Sequence, residues 1–148
     1  MGRLAGAALA AGGKVTGVLP RFMDELEWGH GSLTELRIVG SIHERKQLML
    51  ELADAVVALP GGSGTLEELF EAITWKRLGF FLGPIVLVNV NGFFDPCIEL
   101  LSRCVQQRFM DERHAAMWSA VAEPEAVCAA LQAAPAWSAA ARDFAQVK

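Results

Sequence analysis

Two short stretches of this chain carry residue types that local backbone physics alone does not ask for. The first is Leu59-Pro60-Gly61-Gly62-Ser63-Gly64-Thr65-Leu66-Glu67-Glu68. Three glycines in four residues strip side chains from a turn, which lets the backbone approach another group closely. A buried-strand pattern precedes the turn and an amphipathic-helix pattern follows it. Free N–H groups at the helix start, with the positive end of the helix dipole, then make a site for an anion such as a phosphate. The hydroxyl of Ser63 or Thr65 either caps the helix or donates to a phosphate oxygen. No lysine follows the last glycine, so this is not a Walker loop, and the glycine spacing differs from the dinucleotide-binding pattern. The plain alternative is a tight strand-to-helix turn without a ligand.

The second stretch is Ser41-Ile42-His43-Glu44-Arg45-Lys46, opening a helical pattern that runs to Ala53. Arg45 and Lys46 fall near the helix start, where the dipole repels cations by roughly 0.3–1 kcal/mol each. Arg45 also shares a helix face with Met49 and Leu52, the side expected to pack inward. A cation set against both dipole and burial needs an anionic partner. Either a bound phosphate or the carboxylates of Glu67 and Glu68 supply one, and the planar guanidinium of Arg45 suits both better than Lys46 does. Glu68 lies off the apolar stripe of its helix and beside the glycine turn. Glu67 and Glu71 read as ordinary dipole-stabilising residues.

The elements that must position these groups alternate along the chain. Helical patterns cover Leu4–Ala11, His43–Ala53, Thr65–Arg77, Pro96–Phe109 and Pro124–Ala134. Strand patterns cover Val15–Leu19, Leu36–Val39, Ala55–Leu59, Ile85–Val90 and, as a short edge strand, Trp118–Ala122. Leu66, Leu69, Phe70 and Ile73 recur at helix spacing and form the expected core stripe of the helix after the glycine turn. Strands apolar on both faces, alternating with helices, predict a parallel sheet covered on both sides: a doubly wound, Rossmann-like α/β domain of three layers. Ligands in such sheets bind beyond the carboxyl ends of the strands, where the glycine turn lies. One domain is expected over residues 1–148, with 135–148 as a tail. The stretch Asp24–Thr34 reads as a loop bordering the pocket, and Asp111–His114 as a polar loop from which Arg113 reaches toward a partner subunit's ligand. Trp28, Phe80, Phe81, Phe93, Phe94 and Trp118 read as core or interface.

Composition bounds the partners. The net charge of −4 argues against a general nucleic-acid surface. Charged residues make up only 20% and apolar ones 53%, so part of the surface is expected to be covered by another subunit, most simply in a two-fold dimer. No apolar run reaches the roughly 18 residues of a membrane span, and the Ala-rich start lacks a cleavage pattern, so the cytosol is expected. Cys97, Cys104 and Cys128 read as buried small hydrophobes in a reducing compartment, and no metal-ligand spacing links them to His30, His43 or His114.

With these residues in view, the nine-residue run Pro60–Glu68 resembles the Pro-Gly-Gly-x-Gly-Thr-x-x-Glu signature of the Lonely-guy family. These are cytokinin riboside 5′-monophosphate phosphoribohydrolases, often mislabelled as lysine decarboxylases. His43-Glu44-Arg45-Lys46 is similar to the family's second motif. Ala10-Gly12-Gly13 with Val15-x-Gly17-Val18-x-Pro20, Ala53-Asp54-Ala55, and Asn89-Val90-Asn91-Gly92-Phe93-Phe94 extend the resemblance over roughly residues 2 to 131. It implies hydrolysis of an adenosine 5′-monophosphate, N6-modified or not, to free base and ribose 5-phosphate, with no cofactor or metal. It implies Arg45 and Glu68 as catalytic residues, and Gly61, Gly62, Ser63, Gly64 and Thr65 as the phosphate cradle with Lys46 beside it. Ile42, where many relatives carry Met, would tune the base pocket, and the sites would lie near a homodimer interface. A strand–helix–strand unit that the family carries before this start is missing. Either the reading frame extends upstream of Met1, or part of the pocket is absent and a neighbouring subunit covers the sheet edge. The competing reading is a non-catalytic nucleotide- or cofactor-binding module similar to molybdenum-cofactor carriers or DNA-processing protein A. A pyridoxal-dependent lysine decarboxylase fits poorly, since none of Lys14, Lys46, Lys76 and Lys148 has the context of a Schiff-base lysine.

Overall fold

A short strand needs a neighbouring strand to pair with and a helix to cover its face, and strands and helices alternate along the chain. The computed structural model describes residues 1–25 and 33–146. It divides into two compact units, residues 1–52 and 53–148.

The first unit begins with helix α1, Gly2–Ala10, an Ala-rich run with no buried residue. Strands β1, Thr16–Pro20, and β2, Glu35–Val39, pair in parallel, with Thr16 opposite Glu35 and Pro20 opposite Val39. A five-residue helix α2, Arg21–Glu25, follows β1 directly and takes the first two residues expected in the Asp24–Thr34 loop. The rest of that loop up to residue 32, Trp28 included, lies outside the described residues. Helix α3, Ile42–Glu51, packs on β1. Its start is well specified: the Ser41 side chain accepts from the Glu44 N–H at 3.1 Å, and the Glu44 carboxylate accepts from the Gly40 N–H at 2.7 Å.

The face of α3 differs from the expected one. Met49 and Leu52 are 36% and 49% exposed, while Lys46 is only 5% exposed. The helix is rotated so that the Lys46–Leu50 side turns inward and Met49 outward, which a lysine permits because most of its side chain is an aliphatic stem.

In the second unit, β3 (Val56–Ala58), β4 (Ile85–Val88) and β5 (Ser119–Val121) form a wholly parallel sheet in that order. Val56 lies opposite Ile85, and Val86 opposite Ser119. All four residues of the central β4 are buried, as a strand covered on both faces requires. Helices α4 (Ser63–Arg77) and α5 (Asp95–Gln106) make the crossovers, and α6 (Val127–Ala133) packs on β4 and β5. Parallel strands connected through helices are the Rossmann-like α/β fold expected.

The core stripe of α4 is Leu69, Ala72, Ile73 and Lys76, with Leu66 and Phe70 half-buried at its margins. The inward line is thus moved three residues toward the C-terminus, a rotation of about 60°, and the segment after Ala134 packs against the far end of the helix. That segment is not a loose tail: residues Ala139–Phe144 form a 3-10 helix. The Trp137 indole N–H donates to the Lys76 carbonyl at 2.8 Å, and Arg142 Nε donates to the Leu78 carbonyl at 2.9 Å. Gly79 ends α4 with a positive φ of 70°, and a Cβ there would sit 2.9 Å from the Ala139 backbone, so the turn and the returning segment both require glycine.

Asp111–His114 is likewise more ordered than a polar loop. Residues Glu112–Met117 form a 3-10 helix, capped by Asp111, whose own N–H donates to His114 Nδ1 at 2.9 Å. Phe81 and Phe94 are core residues, whereas Phe80 and Phe93 are exposed. Cys97 and Cys104 are half-buried and Cys128 is exposed, against the expected full burial, because the latter lies on the outer side of α6.

Candidate active site

The glycine turn joins β3 to α4, and its geometry is set by where the helix begins. Helix α4 starts at Ser63, two residues before the predicted start, with Gly62 as N-cap at φ −82° and ψ −161°. Glycine has no side chain to cap with, and no side-chain cap bond is made. The capping role expected of Ser63 or Thr65 is therefore not taken: both lie inside the first turn, where a residue cannot serve as its own helix's cap. The first intrahelical bond is from Leu66 N–H to the Gly62 carbonyl, at 3.2 Å. The N–H groups of Ser63, Gly64 and Thr65 precede it and have no acceptor within the helix.

The three glycines have different reasons to be glycine. A Cβ on Gly61 would overlap the Thr65 side chain, so Gly61 lets Thr65 fold back over the turn. At Gly62 and Gly64 no described atom lies within 4 Å of an added Cβ, and neither has a positive φ. Neither packing nor backbone conformation calls for glycine there. Both positions leave open the space in front of the helix N-terminus.

Glu68 is half-buried and sits on the second turn of α4, off the buried stripe. Glu67 beside it is exposed. Because α4 begins early, its first turn holds no acidic residue, and the expected dipole-stabilising role of Glu67 and Glu71 loses its positional basis.

On α3 the dipole is served by Glu44 in the first turn. Arg45 follows it, half-buried, and its Nε donates to the Val18 carbonyl of β1 at 3.1 Å. That bond ties the Arg45 side chain to β1. Ile42 opens the helix and is exposed, and Lys46 is buried. Gly61, Gly62, Ser63, Gly64, Thr65 and Glu68 are thus gathered on one strand–turn–helix of the second unit. Ile42, Arg45 and Lys46 are gathered on one helix of the first.

A further rim residue of the second unit carried no chemical signal of its own in the sequence. Ala58 pairs with Leu87, so the turn after β4 emerges beside the glycine turn. Asn89 braces it: its side-chain amide donates to Asp95 at 2.7 Å, and its carbonyl oxygen accepts from the Phe94 N–H at 2.6 Å. Asn91 takes a left-handed φ of 54°, a conformation asparagine tolerates better than most residues. Its place after a strand and its part in the family resemblance were what marked this segment in the sequence.

The comparison with known proteins bears on the same segments. A family model described as "possible lysine decarboxylase" matches residues 1–131, nearly nine-tenths of the chain. The chain belongs to this family, the Lonely-guy family. A cytokinin riboside 5′-monophosphate phosphoribohydrolase of Rhodococcoides fascians is 46% identical over 111 residues, 74% of this chain and 56% of the relative. A phosphoribohydrolase of the same name from Oryza sativa is 43% identical over 112 residues, 76% of this chain and 46% of the relative. One from Arabidopsis thaliana is 39% identical over 110 residues, 74% and 52%. The chain spans about half the length of the curated Lonely-guy relatives it matches.

Proposed function

We propose that this chain hydrolyses the N-glycosidic bond of an adenosine 5′-monophosphate, plain or N6-modified, to the free base and ribose 5-phosphate. The observation that carries the reading is the glycine turn: three uncapped N–H groups facing space kept clear at Gly62 and Gly64. The names of its relatives, which act on a nucleoside monophosphate, support the same reading. The 5′-phosphate takes the N–H groups of Ser63, Gly64 and Thr65, with the Ser63 and Thr65 hydroxyls as further donors. Departure of the base builds oxocarbenium character on the ribose. Glu68, one turn along the same helix, stabilises that charge or orients the attacking water. Arg45, together with Lys46, supplies the positive partner for the phosphate or the departing base, and Ile42 borders the base. The chain acts as one nucleotide-binding domain, and two copies form a cytosolic homodimer. The apolar side chains exposed on both units support the dimer.

The test is a product assay. Ribose 5-phosphate is expected from the 5′-monophosphate and none from the unphosphorylated nucleoside. Glu68→Gln and Arg45→Ala are each expected to lower kcat by about 10²- to 10⁴-fold with unfolding curves unchanged. Normal turnover in both variants would remove the assignment.

A further inference from the structure

At the other end of α4 the second unit has a groove that the proposed reaction does not use. It is lined by Arg77, Leu78, Arg108, Phe109, Arg142 and Gln146, and encloses about 490 Å³. Among the described residues three guanidinium groups line it and no carboxylate does. The acidic side chains nearby belong to the adjoining cavity, lined by Asp111, Glu112 and Asp143, and Asp111 is occupied by Arg113 at 2.6 and 2.8 Å.

Arg77 and Arg142 are held by backbone carbonyls rather than by an acid. Arg77 Nη2 donates to the Ala145 carbonyl at 2.5 Å and more weakly to the Phe109 carbonyl at 3.4 Å. Its Nε is fully buried with no acceptor among the described residues, an arrangement proteins rarely leave unsatisfied. Arg142 is held over the Phe80 ring at 4.7 Å while its Nε serves Leu78. Arg108 ends helix α5 in a left-handed conformation, φ 62°, with Phe109 N–H bonded to Cys104 at 2.8 Å and Arg108 N–H to Val105 at 3.0 Å. That pair of bonds is the helix terminus at which glycine is strain-free, so nothing in the turn itself asks for arginine. Phe109 beside it is 68% exposed. Arg142, Ala145 and Gln146 of its lining lie beyond residue 131, outside the stretch that matches the family.

We infer that this groove is an anion-binding site for a compact phosphorylated ligand, separate from the glycine turn. Guanidinium groups pair with phosphate oxygens in a bidentate fork, and the Phe109 ring gives an uncharged part of the ligand a surface to lie on. This inference stands whether or not the chain is a phosphoribohydrolase.

Titration of the full ¹⁵N-labelled chain with inorganic pyrophosphate, followed on backbone and Arg Nε–H resonances, tests it. Saturable shifts are expected at the Arg77 Nε–H, Phe109 and Gln146, apart from any at residues 61–66. Arg108→Ala and Arg142→Ala should each weaken the groove response at least tenfold and leave the glycine-turn response unchanged. Shifts confined to residues 61–66, or a groove affinity indifferent to both substitutions, overturn the inference. So does a chain whose oligomeric mass falls on Arg108→Glu while pyrophosphate leaves the groove resonances still, since the groove is then a contact between copies.

Discussion

Single residues decide how the glycine turn works, and two of them separate stability from binding. At Gly62 the backbone is extended and the space around a Cβ is open. Gly62→Ser should therefore leave stability unchanged or raise it by a few tenths of a kcal/mol, because serine supplies the missing N-cap. The same side chain occupies the freed N–H groups, so calorimetry should find AMP affinity at least tenfold weaker. Gly61→Ala does the reverse of a neutral change: its methyl meets Thr65, and urea unfolding should show a loss of about 1–3 kcal/mol. Lys76 is the other residue with a measurable signature. It is 2% exposed, and burial lowers its pKa to about 8. Between about pH 8 and the ordinary lysine value of 10.5, the unfolded chain holds a proton that the folded chain has released. Stability should therefore rise with pH across that window, and Lys76→Met should flatten the rise. A wild-type unfolding free energy that falls from pH 8 to 10 would refute the burial of this ammonium.

Among elements, the segment after Ala134 does what the sequence least suggested. Its Trp137 hydrogen-bonds the last turn of α4, its Phe144 ring lies 5.2 Å from that of His114, and Arg113 lies 3.8 Å over Phe144. His114 is wholly buried, and that burial, chiefly, lowers its pKa. Trp137→Phe keeps the ring and removes one hydrogen bond, so a cost of about 1 kcal/mol is expected from thermal unfolding. The element pattern itself was legible: short apolar runs located the five strands of the described residues and period-3.6 apolarity the longer helices, the fully buried β4 writing the clearest run. What escaped was set by tertiary contact. The true inward faces of α3 and α4 include Lys46 and Lys76, whose charge hides the fact that their stems are apolar. The short 3-10 turns at Glu112–Met117 and Ala139–Phe144 are too brief to show a period, and form because neighbours cover them.

For the molecule as a whole, the family was readable from nine contiguous residues, since a phosphate cradle is local in sequence. Which side chains oppose that cradle was not, because partners from other elements leave no spacing signature. Among the described residues no helix is long and apolar enough to cross a membrane. Exposed Leu82, Phe93 and Leu100 favour association, and light scattering should return twice the 16.0 kDa of one chain; a monomer at micromolar concentration would count against the proposed dimer. Helix α4 spans 15 residues, a rod of about 22 Å. A nucleotide held at its leading end is too short to touch the arginines at its trailing end. Two anions bound at once would therefore share a single rigid shaft without competing, and their contributions to the melting temperature should simply add.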